Sequence, residues 1–250
     1  MPHTVQEVQT SHLPQKARQR PKGTSLPREL VQLTSQLLDL QDLFNRSQLS
    51  VSLNRHLRTM IKTNTSITRI ISLGLGSLFV SKGQSRRLKQ LAILLTIRDH
   101  LQEEEKETIE VYAQDPTFTR QDEALLASLG IHILRTASGS DLGEAVSFIS
   151  SSTLVYSPFL TLEAYEQLIL KPSAPVQYLV GDDFDALQKK WPRRSAEKKQ
   201  VESVLRSGLS KYRRRAVAGE GFWTDGDETF PMAVYINTIA TEAPKLRAKM

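Results

Sequence analysis

Apolar side chains recur at helical spacing from residue 27 onward: Leu30, Leu33, Leu37, Leu40 and Phe44, then Leu49, Leu53, Leu57 and Met60. Steps of three and four put each set on one helix face, which predicts a two-helix lead-in over 26–62 with Pro27 at the first helical position. The period then changes. Residues 67–83, ITRIISLGLGSLFVSKG, carry Ile67, Ile70, Ile71 and Leu73 in a run too short for a buried helix and rich in strand formers. That run predicts a strand buried on both faces. A turn holding Gly74, Gly76 and Ser77 follows, then a helix over 84–103 marked by Leu88, Leu91, Leu94, Leu95 and Ile97.

The alternation continues. Strands are predicted over 109–113, 131–134, 153–156 and 176–180. Helices are predicted from Thr119 to Gly130, around 142–149 and over 162–170, and Phe184, Leu187 and Trp191 share one face of another. Asp122 and Glu123 suit the first turn of their helix, where the dipole favours negative charge. Five strands alternating with helices predict an α/β class: a Rossmann-like, doubly wound, mostly parallel sheet. Beyond Pro192, Ser195 and 198–215 read as a basic helix with Val201, Val204, Leu205, Leu209 and Tyr212 turned inward. Gly219-Glu220-Gly221 ends it, and 232–237 predicts a last strand. One domain over 26–240 is expected, made of the lead-in (26–62), a core sheet (67–185) and a basic helical segment (186–218). A disordered basic tail (1–25) and a frayed tail (241–250) flank it.

The chain has no cysteine, which excludes disulfides and thiolate chemistry. No apolar run approaches the eighteen or so residues of a membrane span, and the expectation is a soluble, cytoplasmic protein. Net charge is +6, but residues 189–215 alone hold eleven Lys or Arg against Glu197 and Glu202, a local +9, so the remainder is at −3. Such a patch suits a polyanion, nucleic acid above all, although a solvated basic helix looks the same. There is no P-loop, EF-hand or zinc-ligand spacing, and no metal or cofactor is implied.

In sheets of this kind chemistry gathers at the carboxyl ends of the strands. Ser77 there could act as nucleophile or anchor, with neighbouring N–H groups stabilising an oxyanion; equally, the glycines could serve only the turn. The third glycine of a dinucleotide fingerprint is absent at Phe79. The histidines, His3, His12, His56, His100 and His132, lie mostly in the tail or on helices, which argues against a Ser-His-Asp triad. Asp115 could bond a ribose or an amine, or simply end its strand. Asp182, Asp183 and Asp185 could bind a cation, raise one another's pKa, hold a guanidinium, or cap a helix. Tyr178, four residues before Asp182, would share its strand face. Trp191, Tyr212, Phe222 and Trp223 flank the basic segment as stacking or packing residues.

The segments ITRIISLGLGSL, VYAQDPTFTRQDEALLASLG, TLVYSPFL with a following Tyr165, and QYLVGDDF resemble the domain named for sensitivity to red light reduced (SRR), found in plants, fungi and animals. The pattern DPxFTxxDxxxLxxLG is the most specific part, and the family's usual proline and histidine are replaced around Ser157-Pro158-Phe159. Most of that family is described as regulatory. Within it, the chain resembles fungal arginine-containing cyclodipeptide synthases, whose Asp-Asp signature falls on Asp182 and Asp183, without the Glu that follows in the branch.

This resemblance implies synthesis of a diketopiperazine from two aminoacyl-tRNAs, one of them arginyl-tRNA. By looser analogy with the bacterial synthases, Ser77 would accept the aminoacyl group while Tyr178 and Asp182 move protons. Gly74, Gly76, Asp115, Tyr156, Asp183 and Asp185 would line the substrate pocket. Lys189, Lys190, Arg193, Arg194, Lys198, Lys199, Arg206, Lys211, Arg213, Arg214 and Arg215 would hold tRNA. Two alternatives stand beside it: a non-catalytic regulatory or RNA- or partner-binding module, and an enzyme using a nucleotide or S-adenosylmethionine.

Overall fold

The two lead-in helices form because each has one apolar stripe to bury. In the computed structural model, which describes residues 28–61, 66–105, 107–172, 174–227 and 231–238, α1 (Arg28–Asn45) buries Leu30, Leu33, Leu37 and Phe44. Helix α2 (Gln48–Ile61) buries Leu49, Leu53, Leu57 and Met60. Both pack on α3 (Gln84–Glu104), which follows β1 (Arg69–Leu73). Because α3 lies between the sheet and the lead-in, its centre is buried all round, Lys89, Gln90 and Thr96 included.

Next come β2 (Glu110–Gln114), α4 (Arg120–Ser128) and β3 (Ile131–Leu134). The start of α4 is a reciprocal cap, in which the Thr119 side chain accepts from Asp122 N–H and the Asp122 carboxylate accepts from Thr119 N–H. A 3₁₀ segment (Gly143–Phe148) leads to β4 (Thr153–Ser157). Helix α5 (Leu162–Tyr165) widens into a π turn (Glu166–Leu170) before β5 (Tyr178–Asp182) and α6 (Phe184–Lys190). The strand predicted over 176–180 thus sits two residues later, so Asp182 is its last residue.

The basic segment departs from expectation. Helix α7 (Ala196–Ser203) is capped by Ser195, then loosens into a π turn (Val204–Gly208) and a 3₁₀ turn (Leu209–Lys211). Tyr212–Val217 is a strand, β6, which pairs antiparallel with β7 (Met232–Asn237). A continuous helix over 198–215 would leave the backbone groups on the outer side of the buried strand β7 without partners.

Among the described residues the sheet has seven strands in the order β3-β2-β1-β4-β5-β7-β6. The five from β3 to β5 are parallel; β7 runs antiparallel to β5. The doubly wound expectation holds, enlarged by a terminal antiparallel pair. One core lies under α1 to α4, the other under α5 to α7. Among the described residues no helix is long and apolar enough to cross a membrane. Pro27 and the tails 1–25 and 241–250 lie outside the described residues.

Candidate functional site

The chain winds from β1 outward to β2 and β3, then returns to lay β4 on the other side of β1. Loops leaving β1 and β4 diverge there, and such a switch point opens a crevice at the carboxyl edge of the sheet. A cavity of about 180 Å³ occupies it. Its walls are Leu73 and Gly74 after β1, Gln114 to Thr117 after β2, Thr136, Ser138, Gly139, Asp141 and Leu142 after β3, and Phe159 to Thr161 after β4.

Each wall is fixed by a polar tie. Buried Gln114 donates to Leu142 O at 2.9 Å and accepts from Ala145 N at 3.0 Å, pinning the loop after β3. Gly143 is required in that loop: its φ is +46° and a Cβ would stand 2.4 Å from Arg135 O. Thr161 Oγ1 donates to Gly139 O at 3.0 Å, joining the loops after β3 and β4 across the cavity. Asp115 accepts from Gly76 N at 2.8 Å and from Thr117 N at 2.9 Å, and receives the Thr117 hydroxyl at 2.5 Å.

These ties decide what the glycine turn can do. Gly74 and Gly76 both have positive φ, +76° and +75°, as the turn needs. Yet the N–H groups there are spent: Gly74 on Gln114 O, Gly76 on Asp115, Ser77 on Thr117 Oγ1 and Leu78 on Asp122. Ser77 is only 4% exposed, its hydroxyl accepts from Phe79 N, and it does not line the cavity. The turn therefore presents neither a preformed oxyanion hole nor an open nucleophile.

Behind the cavity sits Asp182, 3% exposed. Phe159 is the one non-glycine with positive φ among the described residues, at +68°, and its N–H points between both Asp182 oxygens at 3.2 and 3.1 Å. The carboxylate holds that costly backbone in place. Arg86 stacks its guanidinium over the Phe159 ring, 4.8 Å from the centroid. Tyr165 OH lies 2.5 Å from Ser157 O and 3.2 Å from Asp182 Oδ2, and accepts from Asp182 N at 3.0 Å. Burial pushes the Asp182 carboxyl up to about 7, against the lowering effect of the Phe159 N–H and the Tyr165 hydroxyl. The Tyr165 hydroxyl is itself pushed well above its ordinary value, by burial first and the Asp182 charge second.

The other expected site residues are dispersed. Tyr178 begins β5, about 13 Å along the strand from Asp182, and is fully buried in the core under α1 to α4. Tyr156 donates to Gln90 O of α3 at 2.9 Å, also away from the cavity. Asp183 caps α6 and receives Arg214 through Nε at 2.8 Å and Nη2 at 2.5 Å, while Arg214 Nη1 lies 3.1 Å from Asp185. The acidic run does grip a guanidinium, and it belongs to this chain. Lys189 and Lys190 close α6, Arg193 and Arg194 follow it, Lys198 and Lys199 ride α7, Arg206 pairs with Glu202, and Lys211 to Arg215 lead into and form β6. That strand is four steps from β1, about 19 Å. Of the expected set, only Gly74 and Asp115 line the cavity; Asp182 supports it from behind.

Sequence reasoning passed over Thr117, Thr136, Ser138, Asp141, Phe159 and Thr161. The cluster Ser138-Gly139-Ser140-Asp141 after β3 was the available signal, since hydroxyls and a carboxylate at a strand's carboxyl end are candidates wherever they occur. Among the described residues no group of three His, Asp or Glu side chains is placed to hold a metal ion.

A doubly wound α/β protein with a cavity at its switch point is the class these features define. The SRR1 domain family model matches residues 40–226, and the chain belongs to that family. No curated protein matches it. Among solved structures it is similar to cofactor-bound Rv0187 from MTB, at 9% identity over 82% of this chain and 89% of that one, TM-score 0.45. It is also similar to the methyltransferase domain of bacterial CtHen1, at 13% identity over 76% and 100%, TM-score 0.39. A third is a Klebsiella pneumoniae protein designated an O-methyltransferase, at 11% identity over 82% and 89%, TM-score 0.42.

Proposed function

We propose that the protein binds a nucleoside-bearing ligand without phosphates, of the S-adenosylmethionine type, in the switch-point cavity. The observation that carries this reading is the charge of the walls: Asp115 and Asp141 with the hydroxyls of Thr117, Thr136, Ser138 and Thr161, and no Lys, Arg or His among the lining residues. A phosphate entering there would lose its hydration and meet two carboxylates. The spent N–H groups of the glycine turn offer it nothing in exchange. Sugar hydroxyls and a cationic centre are the complementary groups, and S-adenosylmethionine carries both. Leu73, Leu142, Leu160 and Phe159 give the cavity apolar wall for a base ring. A volume of about 180 Å³ is below the several hundred Å³ of sites that enclose a drug-sized ligand, so the cavity takes only the nucleoside part of such a ligand.

The cyclodipeptide synthase reading asks for Ser77, Tyr178 and Asp182 around one pocket, and the geometry favours ligand binding over it. An arginine-containing diketopiperazine in the medium of an expressing host, lost on Ser77→Ala, would restore it.

The test of the cavity is thermal unfolding with S-adenosylmethionine, S-adenosylhomocysteine, adenosine, ATP and NAD. The first two at a hundred times Kd should stabilise by about 2.7 kcal/mol, with ATP and NAD near zero. Asp141→Asn should weaken binding about tenfold, as loss of one charged hydrogen bond does. Stabilisation by ATP or NAD alone would overturn the proposal.

A further inference from the structure

Among the described residues the sheet ends at β6, which is hydrogen-bonded on its β7 side and carries three arginines in succession. Their alternation splits them. Arg214 turns to α6, where Asp183 and Asp185 neutralise it. Arg213 and Arg215 point the other way, on the face where Val217 enters the core under α1 and α2. Helix α2 lies along that face: His56 Nε2 meets Ala216 O at 3.1 Å, and Ala218 N donates to Ser52 Oγ at 3.3 Å.

Arg55 of α2 and Arg215 of β6 both lie near enough to His56 to act on its charge. The imidazole's pKa is lowered, by burial first and then by these two guanidiniums, with the hydrogen bond to Ala216 opposing. Arg69, Arg98, Arg135, Arg206 and Arg214 each meet an acid, and Arg55, Arg213 and Arg215 are among the arginines that form no ion pair among the described residues. Two nitrogens of the cluster, Arg215 Nε and His56 Nδ1, are also buried without a hydrogen-bond partner. These two atoms are enclosed, so an incoming oxygen anion would meet the outer nitrogens of the guanidinium.

We infer that the edge formed by α2 and β6 is a docking surface for nucleic acid, gripped through its phosphates by Arg55, Arg213 and Arg215. Alternate residues of a strand lie about 6.6 Å apart, a separation comparable to that of successive phosphates along a nucleic-acid strand. Planar guanidinium forks match phosphate oxygens bidentately. The basic side chains of α6 and α7 belong to the other face of the sheet, over the second core, so the grip rests on Arg55, Arg213 and Arg215 alone. A membrane surface fits less well, because stable adsorption needs a broad apolar face beside the cations and α2 exposes only Val51 as a large apolar side chain. This inference is independent of the cavity reading.

The experiment is titration of a labelled RNA hairpin and a DNA duplex with the full chain from 50 to 200 mM salt. Three phosphate contacts give a log–log salt slope of about −2.7 on a duplex, a loss of about fortyfold in affinity across that range. The double variant Arg55→Gln with Arg215→Gln should reduce the slope by about two contacts; thermal unfolding confirms that it is folded. A second variant, Arg213→Gln, removes one exposed contact and should reduce the slope by about one. A flat salt dependence in the native chain, slopes unchanged in both folded variants, or tighter binding to phosphatidylserine vesicles than to either nucleic acid would overturn the inference.

Discussion

Two buried aspartates show how one residue type takes opposite roles in this fold. Lys89 holds Asp227 at 2.5 Å, and Asp227 also receives Ser85 and Thr224. Burial raises its carboxyl, but these bonds prevail and hold it at about 2, so its ionised form contributes stability that is lost only as pH falls through that value. At Asp182 the Phe159 N–H, the Tyr165 hydroxyl and the charge of Lys190 oppose burial, but burial prevails, at about 7. Its native state therefore binds a proton more tightly than its unfolded state between about 4 and 7, and stability falls as pH rises across that window. Asp182→Asn should abolish this component. Urea unfolding at pH 5 and pH 8 should show the variant gaining on the native protein at pH 8 by up to about 2.6 kcal/mol, and an equal difference at both pH values would refute the assignment. Neither role was legible in the residue letters, because each depends on what another part of the chain brings within 3 Å.

At the scale of elements, the lead-in helices, α3, α4, β3 and β7 follow from periodicity and caps alone. Thr119, Asp122 and Gly130 marked both ends of α4 because capping chemistry is local. The segment after Ser203 was misread because three arginines carry no apolar period to separate helix from strand. What ends the helix is a tertiary contact: a Cβ on Gly208 would stand 2.3 Å from Ile169 Cγ2 and 3.0 Å from Leu170 Cδ2. The π turn at Val204–Gly208 is thus packed directly on the one at Glu166–Leu170. Gly208→Ala should overpack this contact and cost about 1–3 kcal/mol, measurable by urea unfolding. A loss below about 0.5 kcal/mol would mean that the two turns are free to separate.

At the scale of the whole molecule, the two cores share one sheet, so the faces cannot be lost independently. Each has its own reporter, since Trp223 packs against the core under α1 to α4 and Trp191 against the core under α5 to α7. Trp191→Phe and Trp223→Phe each leave one tryptophan. Fluorescence of the two variants should give transitions superimposable on their circular dichroism, as a single cooperative unit requires. Midpoints separated by more than the variants' own stability change would show two units. The same architecture separates the expected synthase residues, because Tyr178 and Asp182 share a strand yet occupy its two ends, and the arginines of β6 lie four strands from the glycine turn.

The sequence by itself determined the layers and most element boundaries, since periodicity, caps and turn residues act within a few positions. It also located Asp115 and the charge asymmetry. Only the tertiary structure decided that Ser77 is covered, that Asp183 and Asp185 are occupied by Arg214, that Asp182 braces Phe159, and that Arg215 lies near His56. Those outcomes are pairings between residues tens of positions apart, and a carboxylate or guanidinium does not encode in its own neighbourhood which distant partner will satisfy it.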